Sequence, residues 1–296
     1  MKDANNLPPT IDLADLITEF VADTDAAAEA ARNNRPRGAI TGLTKLDRHF
    51  GNYLSPGIHV LQGGPGAGKT AMALQAASDC RCPALFVSAE MGALELFRRL
   101  VARQTNTFLG RLKSGEISGQ QARNLAVQTA QNLKHLRIVD ATRLPASPTL
   151  IIENARNLRE KIQSDNVLII LDSLHVWARS LRNLEKDLIE ADEYSLINNA
   201  LKCVAAIASS LKCPVVTVAH RNRVGNRSDG GLHAAKGSGG IEYEAESVLD
   251  LNKNKEVDNA NGETEITAKL EKNRNGAAGV FVKLGFNGAL QSFREL

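Results

Sequence analysis

Along the 296-residue chain, short runs of β-branched and aliphatic residues alternate with longer stretches in which apolar positions recur every three or four residues. The runs predict strands at Ile58 to Leu61, Ala84 to Val87, Leu136 to Val139, Val167 to Leu171, Val215 to Val218 and Ser247 to Leu251. The helical period holds after Lys69, then over Gly92 to Arg103, Gly119 to Leu133, Pro148 to Ile162 and Asp192 to Leu211. Strands apolar throughout are covered on both faces, so the alternation predicts an α/β domain: a doubly wound, mostly parallel sheet flanked by helices. Toward the C-terminus the pattern changes. Ile266, Ala268 and Leu270 alternate with polar residues, as do Val280, Val282 and Leu284, with Asn275-Gly276 between them. That predicts a C-terminal antiparallel hairpin extending the sheet, turning at Asn-Gly.

Residues 1–10 carry two prolines and two asparagines with no periodicity and read as a disordered lead. An amphipathic helix follows, with Leu13, Leu16, Ile17, Phe20 and Val21 in one stripe, and Asn33, Asn34, Pro36 and Gly38 ending it. Its stripe is covered either by its own domain or by a neighbouring subunit. The chain thus reads as an N-terminal appendage, residues 1–37, followed by one domain, residues 38–296.

Composition narrows this picture. A chain with 43% apolar residues at this length can bury one large core or two smaller ones without disulfides or metal. The longest purely aliphatic run, Val167 to Leu171, is far short of the roughly 20 residues that span a bilayer, and the opening Met-Lys-Asp-Ala-Asn-Asn holds no apolar signal core. The expected location is the cytoplasm, or a host's cytoplasm for a phage or plasmid protein. Cys80, Cys82, Cys203 and Cys213 match neither a secreted scaffold nor a paired zinc motif, and read as reduced structural thiols. A net charge of +3 is too small to coat nucleic acid, so any DNA contact is local.

The strongest chemical signal is Gly63-Gly64-Pro65-Gly66-Ala67-Gly68-Lys69-Thr70, placed after a strand and before a helix. In that context it is a phosphate-binding loop: glycines let successive N–H groups turn onto phosphate oxygens at a helix N-terminus. Lys69 then reaches the β- and γ-phosphates of ATP, and the Thr70 hydroxyl is offered to Mg2+. Asp172 directly follows the run Val167 to Leu171, where a carboxylate holds the same metal.

Glu90, just past the strand Ala84 to Val87, is the candidate for orienting or deprotonating water; an acid at a helix start is also what the helix dipole favours. His220 ends the strand Val215 to Val218 on the same sheet edge, as a γ-phosphate sensor or as a structural histidine. Lys272 and Arg274 continue the alternation of Ile266, Ala268 and Leu270. They read as cations on one strand face, either an arginine-finger device for a neighbouring subunit or a solvated hairpin tip. Between His220 and Ile241 runs a glycine-rich segment with Arg221, Arg223, Arg227 and Lys236 and no aromatic residue to stack on bases. It suits phosphate backbones gripped by charge, and equally a solvated loop.

These segments together resemble the ATPase domain of bacterial and phage ring helicases of the DnaB type, within the RecA-like group. The likeness covers roughly residues 38 to 296. It rests on Thr41-Gly42 with Leu46-Asp47, the phosphate loop, Phe86-Val-Ser-Ala-Glu-Met91 and the strand ending in Asp172. It rests also on Pro214 to His220 with Asn222-Arg223, on Gly237-Ser-Gly-Gly-Ile-Glu242, and on Lys272-Asn-Arg-Asn-Gly276.

The resemblance implies a RecA-like fold in a homo-hexameric ring that moves along single-stranded DNA in replication, with ATP held between subunits. It implies family roles for Lys69, Thr70, Glu90, Asp172, Lys272 and Arg274. Lys236, Gly237 and Gly239 are then backbone contacts to DNA, and the helix from Leu13 is the segment docking on the next subunit. A helicase loader or primase is the implied further partner. His220 stands where bacterial members usually carry glutamine, Lys236 where arginine is usual, and Gly237 where an acid is often found. Residues 1–37 are not expected to form the N-terminal helical domain that recruits primase, so the expectation stays open between a fragment, a minimal phage or plasmid helicase, and a relative with another task. The competing expectation is a RecA-like ATPase that does not unwind DNA, such as a recombination mediator, a loader or a signalling ATPase.

Overall fold

A computed structural model describes residues 10–184, 188–220, 244–258 and 262–296, which form two units, residues 1–37 and 38–296. In the first, a 3-10 turn over Leu13–Leu16 leads into helix α1 (Ile17–Arg32), and Arg37 pairs with Asp23. Leu13, Ile17, Phe20 and Val21 are all exposed.

In the second unit the apolar runs become strands: β1 (Gly57–Gly63), β2 (Ala84–Ser88), β3 (Leu136–Asp140), β4 (Leu168–Asp172), β5 (Pro214–His220) and β6 (Ser247–Asp258). Three polar-alternating strands follow, β7 (Thr264–Asn273), β8 (Phe281–Asn287) and β9 (Ser292–Glu295). They form one nine-stranded sheet in the order β3-β2-β4-β5-β1-β6-β7-β8-β9. Pairing is parallel from β3 through β6 and antiparallel from β6 to β9.

Both faces of the parallel half are covered, which is why the inner strands β2 and β4 are buried at every position. On β4, Leu168 and Ile170 face one layer while Ile169 and Leu171 face the other. The first layer holds α2 (Thr44–His49), α3 (Lys69–Asp79) and α4 (Ala93–Gln104), which contribute Leu46, Met72, Leu74, Leu96 and Leu100. The short α5 (Arg111–Ser114) and then α6 (Gly119–Asn132) come next in the chain. The second layer holds α7 (Pro148–Ile162), α8 (Leu174–Ser180) and α9 (Glu193–Leu211), with Ile151, Trp177 and Val204 buried against the sheet.

Local chemistry marks the helix starts. The Ser118 hydroxyl accepts from Gln121 N–H in a capping box, Ser147 caps α7 ahead of Pro148, and Asp192 caps α9. Cys80, Cys82 and Cys213 are buried, Cys203 is half-buried, and all four are free.

One turn differs from the sequence expectation. Strand β7 outlasts its pairing with β8, which ends at Lys269↔Phe281, and residues Lys272 and Asn273 pair instead with Val248 and Ser247 of β6. The β7–β8 connection therefore starts beyond Asn273, and its left-handed residue is Gly279, at φ +78°, rather than the Asn275-Gly276 pair. Side-chain anchors explain this: Asn273 Nδ2 donates to His49 O at 2.7 Å and Asn275 Nδ2 to Ser55 Oγ at 2.7 Å. Those bonds hold the segment against its own domain where a two-residue turn would send the chain straight back.

Candidate active site

The parallel strands end side by side, which gathers the sequence-predicted groups. In the β1–β5 register Gly63 lies opposite His220, and in β2–β4 Ser88 lies opposite Asp172. From Gly63 the chain passes through Gly64, Pro65, Gly66, Ala67 and Gly68 into α3, whose N-terminal N–H groups and dipole face the same edge. Gly68 takes φ +83°, and a methyl group there would lie 2.6 Å from the Phe293 ring. Only glycine fits. Lys69 Nζ folds back over the loop, donating to Gly63 O at 2.9 Å and Gly64 O at 3.1 Å.

Thr70 Oγ1 donates to Asp172 Oδ2 at 2.8 Å. Burial pushes the Asp172 carboxyl above its usual range, against the lowering effect of the Thr70 bond, and the nearby Glu90 charge pushes the same way as burial. A divalent cation would offset that desolvation. The donor set, one hydroxyl and one carboxylate, is of hard oxygens and suits Mg2+ shared with phosphate oxygens and water. Among the described residues no cluster of three His, Cys, Asp or Glu side chains forms a cage of its own.

Glu90 lies two residues past β2, half exposed, with Oε2 3.8 Å from His220 Nε2. A carboxylate and an imidazole thus meet at the mouth of the loop. Behind His220 stands a residue the sequence reading missed: the His175 ring lies 5.8 Å from the His220 ring. His175 is held below the ordinary histidine range, first by burial and then by the His220 charge. Its sequence signal was faint, a histidine three positions beyond Asp172 in a short helix.

Lys272 and Arg274 sit elsewhere. Arg274 N–H donates to Glu246 O, and Glu246 N–H donates to Ile58 O near the start of β1. The phosphate loop follows the other end of β1, five residues or roughly 17 Å away. A bulge between Val248 and Leu249, opposite Glu271, also breaks the alternation expected from Leu270 to Lys272. Lys272 and Arg274 are therefore not a continuation of the buried Ile266, Ala268 and Leu270 row. Arg221, Arg223, Arg227, Lys236, Gly237 and Gly239 lie outside the described residues.

The model of the DnaB-like helicase C-terminal domain matches residues 38–295. The chain belongs to that family. Among curated relatives of this DnaB-like domain, the replicative DNA helicase DnaB of Treponema pallidum is 29% identical over 263 residues, covering 86% of the chain and 56% of the relative. That of Leifsonia xyli is 27% identical over 298 residues, covering 97% and 62%. The chain thus spans a little over half the length of these relatives.

Among solved structures, one of an ATPase domain superposes with a TM-score of 0.76 at 20% identity, covering 95% of this chain and 98% of that one. A DnaB-like replicative helicase, described with its interactions with primase, gives 0.76 at 22% identity over 97% and 68%. A KaiC-like protein of Pyrococcus horikoshii gives 0.56 at 16% identity, over 88% of this chain and 99% of that one. These likenesses, all below 25% identity, bear on the fold, and the family rests on the match over residues 38–295. The RecA-like fold of this DnaB-like domain is accordingly an ordinary member's fold, with its antiparallel strands β6 to β9 at one side.

Proposed function

We propose that this domain is an ATP-hydrolysing motor that works in a homo-hexameric ring, translocating on single-stranded DNA and unwinding duplex during replication in the cytoplasm. One observation carries the reading: Lys69, Thr70, Glu90, Asp172 and His220 gather at one sheet edge, while Arg274 is tied through Glu246 to Ile58, five residues back along β1 from Gly63. A chain built this way supplies most of one nucleotide site and a cation to another. In a head-to-tail ring each interface joins the two.

In this reading the loop N–H groups of residues 63–70 and Lys69 hold the ATP phosphates, and Thr70 and Asp172 hold Mg2+. The ion supplies positive charge to the phosphate oxygens. Glu90 orients and deprotonates the attacking water, and His220, beside it, registers the γ-phosphate. Arg274 from the neighbouring subunit, with Lys272, stabilises the charge spreading over the transferred group. Arg221, Arg223, Arg227, Lys236, Gly237 and Gly239 contact the DNA backbone, and the exposed stripe of α1 docks on the next subunit. A helicase loader or primase would act on the assembled ring.

The deciding measurement is strand displacement on a forked duplex, scored for polarity, with Lys69→Ala as the inactive control. Displacement that needs ATP and Lys69 is expected. DNA-stimulated ATP turnover without displacement would instead make the chain a non-unwinding ATPase.

A further inference from the structure

Arg274 is held by its own chain. Its N–H donates to Glu246 O at 2.9 Å and its Nη1 donates to Glu246 Oε1 at 3.0 Å, so one residue fixes both backbone and guanidinium. Glu246 is itself fixed. Its N–H donates to Ile58 O at 2.7 Å, and its side chain lies across Gly57, where a Cβ would come within 2.5 Å of Glu246 Cγ. Gly57 takes φ +133°, so a bare backbone position makes room for this carboxylate. On the other side of Arg274, Asn275 Nδ2 donates to Ser55 Oγ.

From this we infer that Glu246 is a positioning residue for Arg274: it sets the direction in which the finger enters the neighbouring subunit's nucleotide site. A guanidinium is a rigid, planar fork of five N–H donors, so a carboxylate that fixes one nitrogen fixes the direction of the whole group. Holding the guanidinium in place beforehand also lowers the rotamer freedom lost when the charge must be met. This inference rests on the trans-acting role of Arg274 proposed above.

The test is ATP turnover by the full chain with single-stranded DNA, comparing Glu246→Gln, Glu246→Asp, Arg274→Ala and the double change Glu246→Gln/Arg274→Ala. Glu246→Gln keeps an acceptor oxygen but loses the charge that holds the guanidinium, and should lower kcat about tenfold. KM and the affinity for a fluorescent ATP analogue should stay unchanged. Glu246→Asp, which keeps the charge, should recover part of the rate, and the double change should be no worse than Arg274→Ala alone.

A merely structural role would not survive a mixing experiment. Lys69→Ala chains keep Glu246 and Arg274 intact, so mixing them with Glu246→Gln chains should restore turnover at the joined interfaces. If the Arg274→Ala mixture recovers but the Glu246→Gln mixture does not, the positioning role is overturned while the ring reading stands. If Arg274→Ala alone leaves turnover intact, the trans-acting finger itself is overturned. An unchanged kcat in Glu246→Gln, or losses that add in the double change, also overturns the positioning role.

Discussion

Asp172, the residue proposed to hold Mg2+, is a buried group whose ionised form is a cost to the resting fold. It is 2% exposed, and its carboxylate accepts a hydrogen bond from Thr70. Its folded pKa stands above the ordinary 3.8, chiefly through burial. The sign follows from linkage: the folded state binds the proton more tightly, so the group's contribution is full below 3.8 and is lost as pH rises through the elevated folded value. Asp172→Asn removes that titration. The variant should therefore gain melting temperature over the parent at neutral pH, by more than it does in acid, while Mg2+-dependent ATP turnover collapses. Melting curves at both pH values check it, and an equal gap at the two would be the contrary result.

Strand β9 is where an element, and not a residue, supports the site. The side chain of Gln75 on α3 mimics a strand partner: its Oε1 accepts from Phe293 N–H at 2.8 Å and its Nε2 donates to Phe293 O at 3.0 Å. Phe293 stacks on Phe286 with centroids 4.4 Å apart, and both rings lie under Gly68. At the far end Glu295 Oε1 accepts from the backbone of Lys45 and Leu46, which ties β9 to α2. The last turn of the phosphate loop thus rests on the antiparallel half of the sheet. Gly68→Ala meets both a left-handed backbone and an aromatic ring, and should destabilise the fold by about 2–4 kcal/mol. Chemical denaturation measures it, with ATP affinity falling in parallel. A variant of parental stability would show that the ring yields freely.

For the molecule as a whole, the parallel half collects Lys69, Thr70, Glu90, Asp172 and His220 at one edge, and the β6–β7 pairing carries Arg274 toward the other. The proposed ring would bring the two together across the contact between one chain and the next. DNA binding is proposed to be a matter of charge without base reading, so its affinity should fall linearly in log–log form with salt. Replacing Arg221 and Arg223 by alanine should flatten the slope by about 0.7 for each lost phosphate contact. Titrations of labelled single-stranded DNA at several salt concentrations would show it, and an unchanged slope would remove these two arginines from the contact.

The local rules written into the chain determined a great deal. Glycine spacing specifies a phosphate loop because it is a backbone requirement met within eight residues, 63–70. Apolar runs specify strands buried on both faces, and strand ends in a parallel sheet share an edge, so Glu90, Asp172 and His220 were legible as companions of Lys69. Other features depended on partners distant in sequence. β9 has a single buried aromatic, Phe293, and owes its place to β8 and Gln75. α2 and α8 are too short for a period to register, and His175 came with α8. Asn275-Gly276 has the local preference for a tight turn, but pairing with β6 and anchors at His49 and Ser55 outweighed it. The hold of Glu246 on Arg274, across 28 residues, belongs wholly to the tertiary structure, because only the register of β6 beside β7 sets the two side by side.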